Sequence, residues 1–598
     1  MFVLQGGTGS IETMSGGSQY ISSGGVGSIE TMNGGGQGIL SGVGSIGTMN
    51  SGGVQNVSDY GGTGIIGTVS NGSQFVGTSG YGSIGILNGN SGLQEIYSSG
   101  VGVIGTMNDG VQYAYGAGTC IIGTMEGGAQ RGSLVYIDTI NNGSQGIYSA
   151  GVGSAGTMNG GKQTVGIGAT GSIGIMNGGM QQVNKGATGS IETMSNGTQI
   201  VSSGGEGSIG IMNNGLQSGV GNMSIDVMNG GLQVNDGGSA YSANIGTMNG
   251  GSQVLTFAAT GNIGVMNDGE QQIGGTAVGI ISSLNGGTQI LNGDSATAKD
   301  TIINGGVQLV QNGTAQNNTV NGGTQIISGG AVSGNTVNAG VMLFENAAAT
   351  VNDVNMNGGE MLFGSAAAYS ITSLNFNGGT VDLTENASTG YQTLTLENYS
   401  GSGGTFKLDA DFAIGSADSV VINSATNAAG YIQVNGANID ASAVSETNPL
   451  LLVTVSNGNA TFTGKSLNGG GLYEYNPEIA EGDEIGKTPN SYYLTGLTKN
   501  VNNDALALLD GIDNSYAMWR NTNDTLRKRL GEIHTLPSND GADGVWARYI
   551  GGKFDGGSYE GQYNLYQLGY DKNYDAKSII GFALEKRRRQ RHIQLRQR

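Results

Sequence analysis

The chain has 598 residues, of which 117 are glycine and only 4 are proline; 11% are charged, 6% aromatic, and the formal net charge is −20. Ordinary soluble domains carry about 25% charged residues and about 7% glycine, so a conventional globular composition is excluded, and without a Gly-X-Y period so is collagen. The negative charge argues against nucleic acid as a partner, a single cysteine, Cys120, excludes an internal disulfide, and no run of 18 apolar residues provides a membrane-spanning helix.

Met1 to Gly7 lacks the charged and apolar stretches of a secretion signal and reads as the middle of a repeat, so a preceding segment is expected. The repeat follows at once. A glutamine recurs from Gln19, Gln37 and Gln55 through Gln181, Gln199 and Gln217 to Gln308 and Gln325; ten of its 17 intervals are 18 residues long, and their mean is 18. A turn such as Asn33-Gly34-Gly35 precedes it, and an aliphatic (Ile21, Ile39, Val57, Val201) stands two places after it. A second apolar cluster, as in Ser28-Ile29-Glu30-Thr31-Met32, completes the unit. Each unit therefore reads as turn, short strand, glycine-rich turn, short strand, with Asn-Gly and Gly-Gly supplying the positive φ angles of the corners.

Eighteen residues are too few for two packed helices and suit one coil of a parallel β-solenoid, in which each coil buries its inner face only against its neighbours. Glutamine and the aliphatic two places on share a strand face. The glutamine column then either forms a stacked amide ladder or faces solvent. Beyond Gln325 the turns Asn338-Ala339-Gly340, Asn357-Gly358-Gly359 and Asn377-Gly378-Gly379 keep the period with Met342, Met361 and Val381 in the glutamine slot, which carries the solenoid over residues 1–400. Leucine-rich and calcium-binding nonapeptide repeats do not fit, because their Leu and Asp positions are missing. The stretch Val320-Asn321-Gly322-Gly323-Thr324-Gln325-Ile326-Ile327-Ser328-Gly329-Gly330 resembles the repeats of AIDA-type autotransporter passengers. That resemblance implies an all-β chain whose solenoid is a right-handed parallel β-helix.

Residues 401–500 change character, with strands expected at Thr405 to Asp411, Ser419 to Ile422, Gly430 to Val434, Leu450 to Val455, Gly471 to Tyr475 and Ser491 to Leu494. Their order resembles the pertactin-like cap, which in that family is a folding template, and a cap would cover the open end of the solenoid. Over 501–536, Leu509, Ile512, Tyr516, Trp519, Leu526, Leu530 and Ile533 have helical spacing. The run Asn523 to Ile533 resembles the autotransporter linker helix, and Gly544 to Tyr549 resembles the first strand of the autotransporter barrel. In 540–586, Tyr566, Leu568 and Tyr570, then Ile580, Phe582 and Leu584, alternate with polar or small residues as in strands of an outer-membrane β-barrel, which would be incomplete here. The basic segment 587–598 is expected to suit no barrel strand and to be out-of-frame sequence.

Catalytic machinery is sparse. His534 and His592 lie outside the repeat, so no histidine-based triad or zinc site falls within the solenoid. Carboxylate pairs such as Glu12 with Glu30 or Asp268 with Glu270 have few bases near them, since residues 1–330 contain only Arg131, Lys162, Lys185 and Lys299. No catalytic, cofactor-binding or metal-binding residue is assigned, and no cofactor is expected. Some autotransporters cleave their own linker at an Asn-Asn pair; the matching positions here are Asp524 and Thr525. The expected function is that of a non-enzymatic surface adhesin or self-association module, at the outer membrane or cell surface or secreted. Its partners would be host-cell or matrix surfaces or like molecules on neighbouring cells, with the barrel assembly machinery acting on intact relatives and the barrel held in the outer membrane. A polysaccharide-acting solenoid enzyme is the alternative, and an ice- or mineral-binding threonine array a third.

Overall fold

A computed structural model describes the chain apart from residues 59, 239, 348, 365–367, 385–389, 440–443, 468–471, 510, 513–514, 517–518, 520–542, 556–559, 576–577 and 593–598. It forms two compact units, Met1–Thr463 with Ile479–Thr495 and Gly464–Glu478 with Gly496–Arg598.

The first unit is a parallel β-solenoid. A representative coil runs from the strand Val26–Met32 through a corner to the strand Gly35–Ile39, and the next strand, Val43–Met49, lies on the first. The pairing is parallel and in register, with Val26 opposite Val43, Ile29 opposite Ile46 and Met32 opposite Met49. The short strands stack likewise, Gln19 on Gln37 on Gln55. Inward positions alternate with outward ones up to Ile29, and two outward residues, Glu30 and Thr31, then separate it from the next inward side chain, Met32. Ile29, Met32 and Ile39 are buried, and burying each such side chain contributes roughly 1.5–3 kcal/mol. Corners need glycine for two reasons at once. Gly35 has φ 87°, and a Cβ there would meet the Gly17 carbonyl oxygen at 2.5 Å.

The boundary expected at residue 400 is not a break in the pairing. The strand Thr393–Asp411 lies parallel on Ala368–Phe376, Ser419–Ala437 lies parallel on Thr393–Asp411, and Val421 pairs with Thr454 in Leu450–Val455. What changes is coil size, since Thr393 pairs with Ser419 26 residues on. Wider coils take larger fillers, and Phe376, Phe406, Tyr399 and Phe462 interlock there with ring centroids 5.3–6.0 Å apart. The hydrophobic strands from Thr405 to Val455 that the sequence separates from the repeat are therefore enlarged coils of the same column. Leu450–Val455 then pairs antiparallel with the strand beginning at Ser491, Thr454 opposite Ser491 and Leu450 opposite Leu494. An antiparallel partner ends the parallel stacking and satisfies that strand's edge.

In the second unit helical backbone spans 503–509. The apolar stripe expected on the helix is exposed at Leu509, Ile512, Tyr516 and Trp519, and its continuation from Asn523 to Ile533 lies outside the described residues. The strands Asp543–Asp555, Glu560–Asp575 and Ser578–His592 form an antiparallel sheet, with Tyr549 opposite Tyr566 and Leu568 opposite Leu584. The expected alternation puts Val545, Tyr549, Tyr566, Leu568, Phe582 and Leu584 in solvent on this sheet. The basic run does not end the third strand as expected: its backbone continues to His592, paired with Glu560, because the ladder follows the partner strand whatever the side chains are.

Candidate functional surface

Of the two readings open for the glutamine column, the ladder is the one observed. All eighteen glutamines are at most 1% exposed. From Gln37 to Gln325, each Nε2 donates to the Oε1 of the glutamine one coil earlier, at 2.5–3.1 Å. The second amide hydrogen commonly reaches a backbone oxygen, as Gln181 does to Gly171 at 3.4 Å and to Ser190 at 3.3 Å. Every amide points the same way along the axis, and none is presented to a ligand. The column is structural.

A small residue opposite makes room for it. A Cβ on Gly27 would lie 2.4 Å from Ile21 Cδ1 and 2.8 Å from Gln19 Oε1. In two adjacent coils where that glycine is replaced by a larger residue, the facing aliphatic is smaller: Cys120 accompanies Ala114, and Val135 accompanies Gly132, whose absent Cβ would lie 3.2 Å from Val135 Cγ1. In these coils the larger residue on one side is offset by the smaller one facing it, as close packing requires. Burial pushes the Cys120 thiol far up, so it behaves as a small apolar filler.

A second amide ladder, unanticipated from sequence, runs along the exposed corner. Asn229 Nδ2 donates to Asn213 Oδ1 at 2.9 Å, and the series continues through Asn249, Asn267, Asn285, Asn304, Asn321, Asn338 and Asn357 to Asn377. These are the asparagines of the Asn-Gly turns, which read locally as corner residues only.

The carboxylates proposed as pairs do not assemble a reactive centre. Glu12 and Glu30 hold equivalent positions on neighbouring coils and are exposed. Asp268 accepts the Gly269 backbone N–H at 2.7 Å, and Glu270 accepts from Gln272. A tighter carboxylate group, which sequence reasoning missed, joins the enlarged coils. Asp382 pairs with Lys407 at 2.6 Å, while Asp418 accepts the N–H groups of Gln392 and Asp409 at 2.7 Å each. Burial raises the Asp418 carboxyl to about 6, against the lowering effect of those two hydrogen bonds, and burial likewise raises Asp409. Lys407 lies 25 residues from Asp382 and Gln392 26 residues from Asp418, so no local motif announces the group. His534, Asp524 and Thr525 lie outside the described residues. Among the described residues no group of three or more His, Cys, Asp or Glu is placed to hold a metal ion, and no helix is long and apolar enough to cross a membrane.

The most distinctive outward feature is aromatic. Tyr97 and Tyr115, on adjacent coils, stack with centroids 5.1 Å apart and planes 7° apart. Tyr113 lies against Tyr115 at 4.2 Å and meets Tyr148 edge-on at 5.6 Å. Glu95 bridges the stacked pair, accepting from Tyr97 Oη at 2.5 Å and from Tyr115 Oη at 3.3 Å. The Glu95 carboxylate and burial together raise the Tyr97 phenol to about 12.

Residues 371–480 match the Pertactin family model, which places that likeness on the enlarged coils. No curated protein matches the chain. Among solved structures, the Haemophilus influenzae Hap adhesin aligns with 80% of this chain at 14% identity and a TM-score of 0.33; the chain spans 64% of that protein's length.

Proposed function

We propose that this chain, a pertactin-like autotransporter passenger by its residues 371–480, acts at the cell surface or after release, in adhesion or self-association. The observation that carries this reading is the union of that segment with a long solenoid whose interior is fully engaged in holding itself together and whose outward columns repeat coil after coil. Such a stalk presents many similar weak faces, and their joint engagement multiplies affinity without one deep pocket. In this reading host-cell or matrix surfaces, or identical chains on neighbouring cells, are the partners. The enlarged coils act as cap and folding template. The exposed apolar face carried by Val545, Tyr549, Leu568 and Leu584 belongs to strands of an outer-membrane barrel, inserted by the barrel assembly machinery.

The test is direct. Microspheres coated with the purified chain are mixed with one another, with host cells and with matrix proteins. Clumping or attachment above albumin-coated spheres is the expected result; behaviour identical to albumin in all three overturns the proposal. A polysaccharide-acting enzyme would instead release reducing ends from glycan panels.

A further inference from the structure

The tyrosine stack has an open end. Tyr97 has one ring face on Tyr115, in the following coil. On its other side is the preceding coil, where Gln94 pairs with Gln74 and Ile96 with Val76, so the residue beneath Tyr97 is Gly77. Other coils carry a side chain at this place, for example Leu40 and Ser58. The residue beneath Glu95 is Phe75. A step one coil high is thus left below Tyr97, with its ring as roof, the Gly77 backbone as inner wall, Ser58 of the coil below as floor, and Phe75 and Glu95 alongside. Tyr97 remains 40% exposed despite the stack.

We infer that this step is a binding subsite for a pyranose ring of a neutral glycan. Three features point to that chemistry. Coil spacing is about 4.8 Å, close to the separation of the Tyr97 and Tyr115 rings, so a flat ring entering beside Gly77, in the place of its missing side chain, continues the stack in the next position. A sugar presents one face of C–H groups to an aromatic ring and a rim of hydroxyls at its edge. Glu95 and the Tyr97 phenol stand at the matching edge, and each Glu95 oxygen keeps a lone pair beyond the hydrogen bond it already accepts. Finally, a carboxylate in the step and a net charge of −20 disfavour acidic saccharides and nucleobases carrying phosphate. The subsite is shallow and polar-edged, which suits a weak contact within a multivalent surface rather than a solitary high-affinity pocket.

This rests on the adhesion reading and gives it a ligand class. Saturation-transfer NMR on the full chain with cellotriose, chitotriose, maltotriose and mannotriose tests it. Transfer to the axial C–H protons of at least one trisaccharide is expected. Gly77→Leu, which restores the side chain that Leu40 carries at the equivalent place, is expected to weaken binding at least tenfold, as is Tyr97→Ala. Asn184→Leu, at the same coil position away from the aromatics, is expected to leave it unchanged. No transfer to any of the four sugars, or equal binding by Gly77→Leu and the parent, overturns the inference, as does preference for a tyrosine- or tryptophan-containing peptide over every sugar. Attachment of coated microspheres without sugar binding removes the glycan assignment and leaves adhesion standing. Sugar binding without any attachment overturns adhesion alone.

Discussion

Asn335 donates from Nδ2 to Oε1 of Gln325 at 3.0 Å, and in the next coil both positions turn apolar together, to Val354 and Met342. The same cross-coil bond occurs one coil earlier, from Asn318 to Gln308 at 3.2 Å, and one before that from Thr301 Oγ1 to Gln289 at 3.4 Å. The polar interior ends where its last acceptor is satisfied from across the coil, so the change of filler leaves no orphaned amide there.

It follows that the cost of removing a glutamine depends on where it stands. Gln181→Leu leaves the buried Gln163 Oε1 without its donor, removes the side-chain acceptor of Gln199, and deletes the donations of Gln181 to the Gly171 and Ser190 carbonyls. That is expected to cost about 2–4 kcal/mol. Gln325→Met extends the apolar column by one coil and strands mainly the Asn335 amide, so about half as much is expected. Urea unfolding of the two variants checks the order; equal losses contradict the end-of-ladder account.

The match of interior volumes within a coil predicts a rescue. A Cβ on Gly189 would lie 2.2 Å from Val183 Cγ2, so Gly189→Ala is expected to destabilise by about 1–3 kcal/mol. Adding Val183→Ala reproduces the arrangement of Ala114 with Cys120. The double variant is expected to be more stable than the sum of the single changes by at least about 0.5 kcal/mol, measured as a double-mutant cycle. Simple additivity contradicts the compensation.

Asn235 occupies the aliphatic column between Gly219 and Leu255; its Oδ1 accepts the Gly237 N–H at 2.8 Å, while its buried Nδ2 has no partner. Asn235→Leu removes that unpaired donor and fills the column as Leu255 does. A rise in thermal midpoint is expected, corresponding to roughly 1 kcal/mol. A fall would mean that the Gly237 bond outweighs the orphaned amide.

The buried carboxylates give the enlarged coils a pH response of known sign. Asp418 titrates near 6 when folded, against about 3.9 in an unfolded chain. The folded state therefore holds the proton more tightly, so this group's stabilisation is complete below about pH 4 and is lost as pH rises through 6. Asp418→Asn lacks this dependence, although its single oxygen can serve only one of the Gln392 and Asp409 N–H groups. Thermal midpoints of parent and variant between pH 4 and 7.5 are the measurement. The parent is expected to lose more than the variant over that range, and the opposite ordering contradicts the assignment.

The period of the first 325 residues is plain in the sequence because glutamine and glycine are each confined to one place in the coil by shape, Gln19 against Gly27 being the pattern case. The ladder itself was not decidable there, since an alternating strand has two faces and glutamine suits either. The glutamine is already gone after Gln325, and past residue 380 the coil lengthens as well, which erases the period and makes continuous stacking look like a new domain. The tyrosine surface and the Asp382, Lys407 and Asp418 group were missed for a related reason: each joins residues from several coils, and their proximity depends on register.

Side-chain hydrogen exchange of the glutamines probes the ladder most directly. In the chain labelled with nitrogen-15 glutamine, the carboxamide groups from Gln19 to Gln325 should resist exchange in heavy water far beyond the rate of free glutamine, at most coils of the repeat. Exchange of those carboxamides at the free rate, in chain that is folded by circular dichroism, would mean that the glutamines face solvent and that the interior described here is wrong.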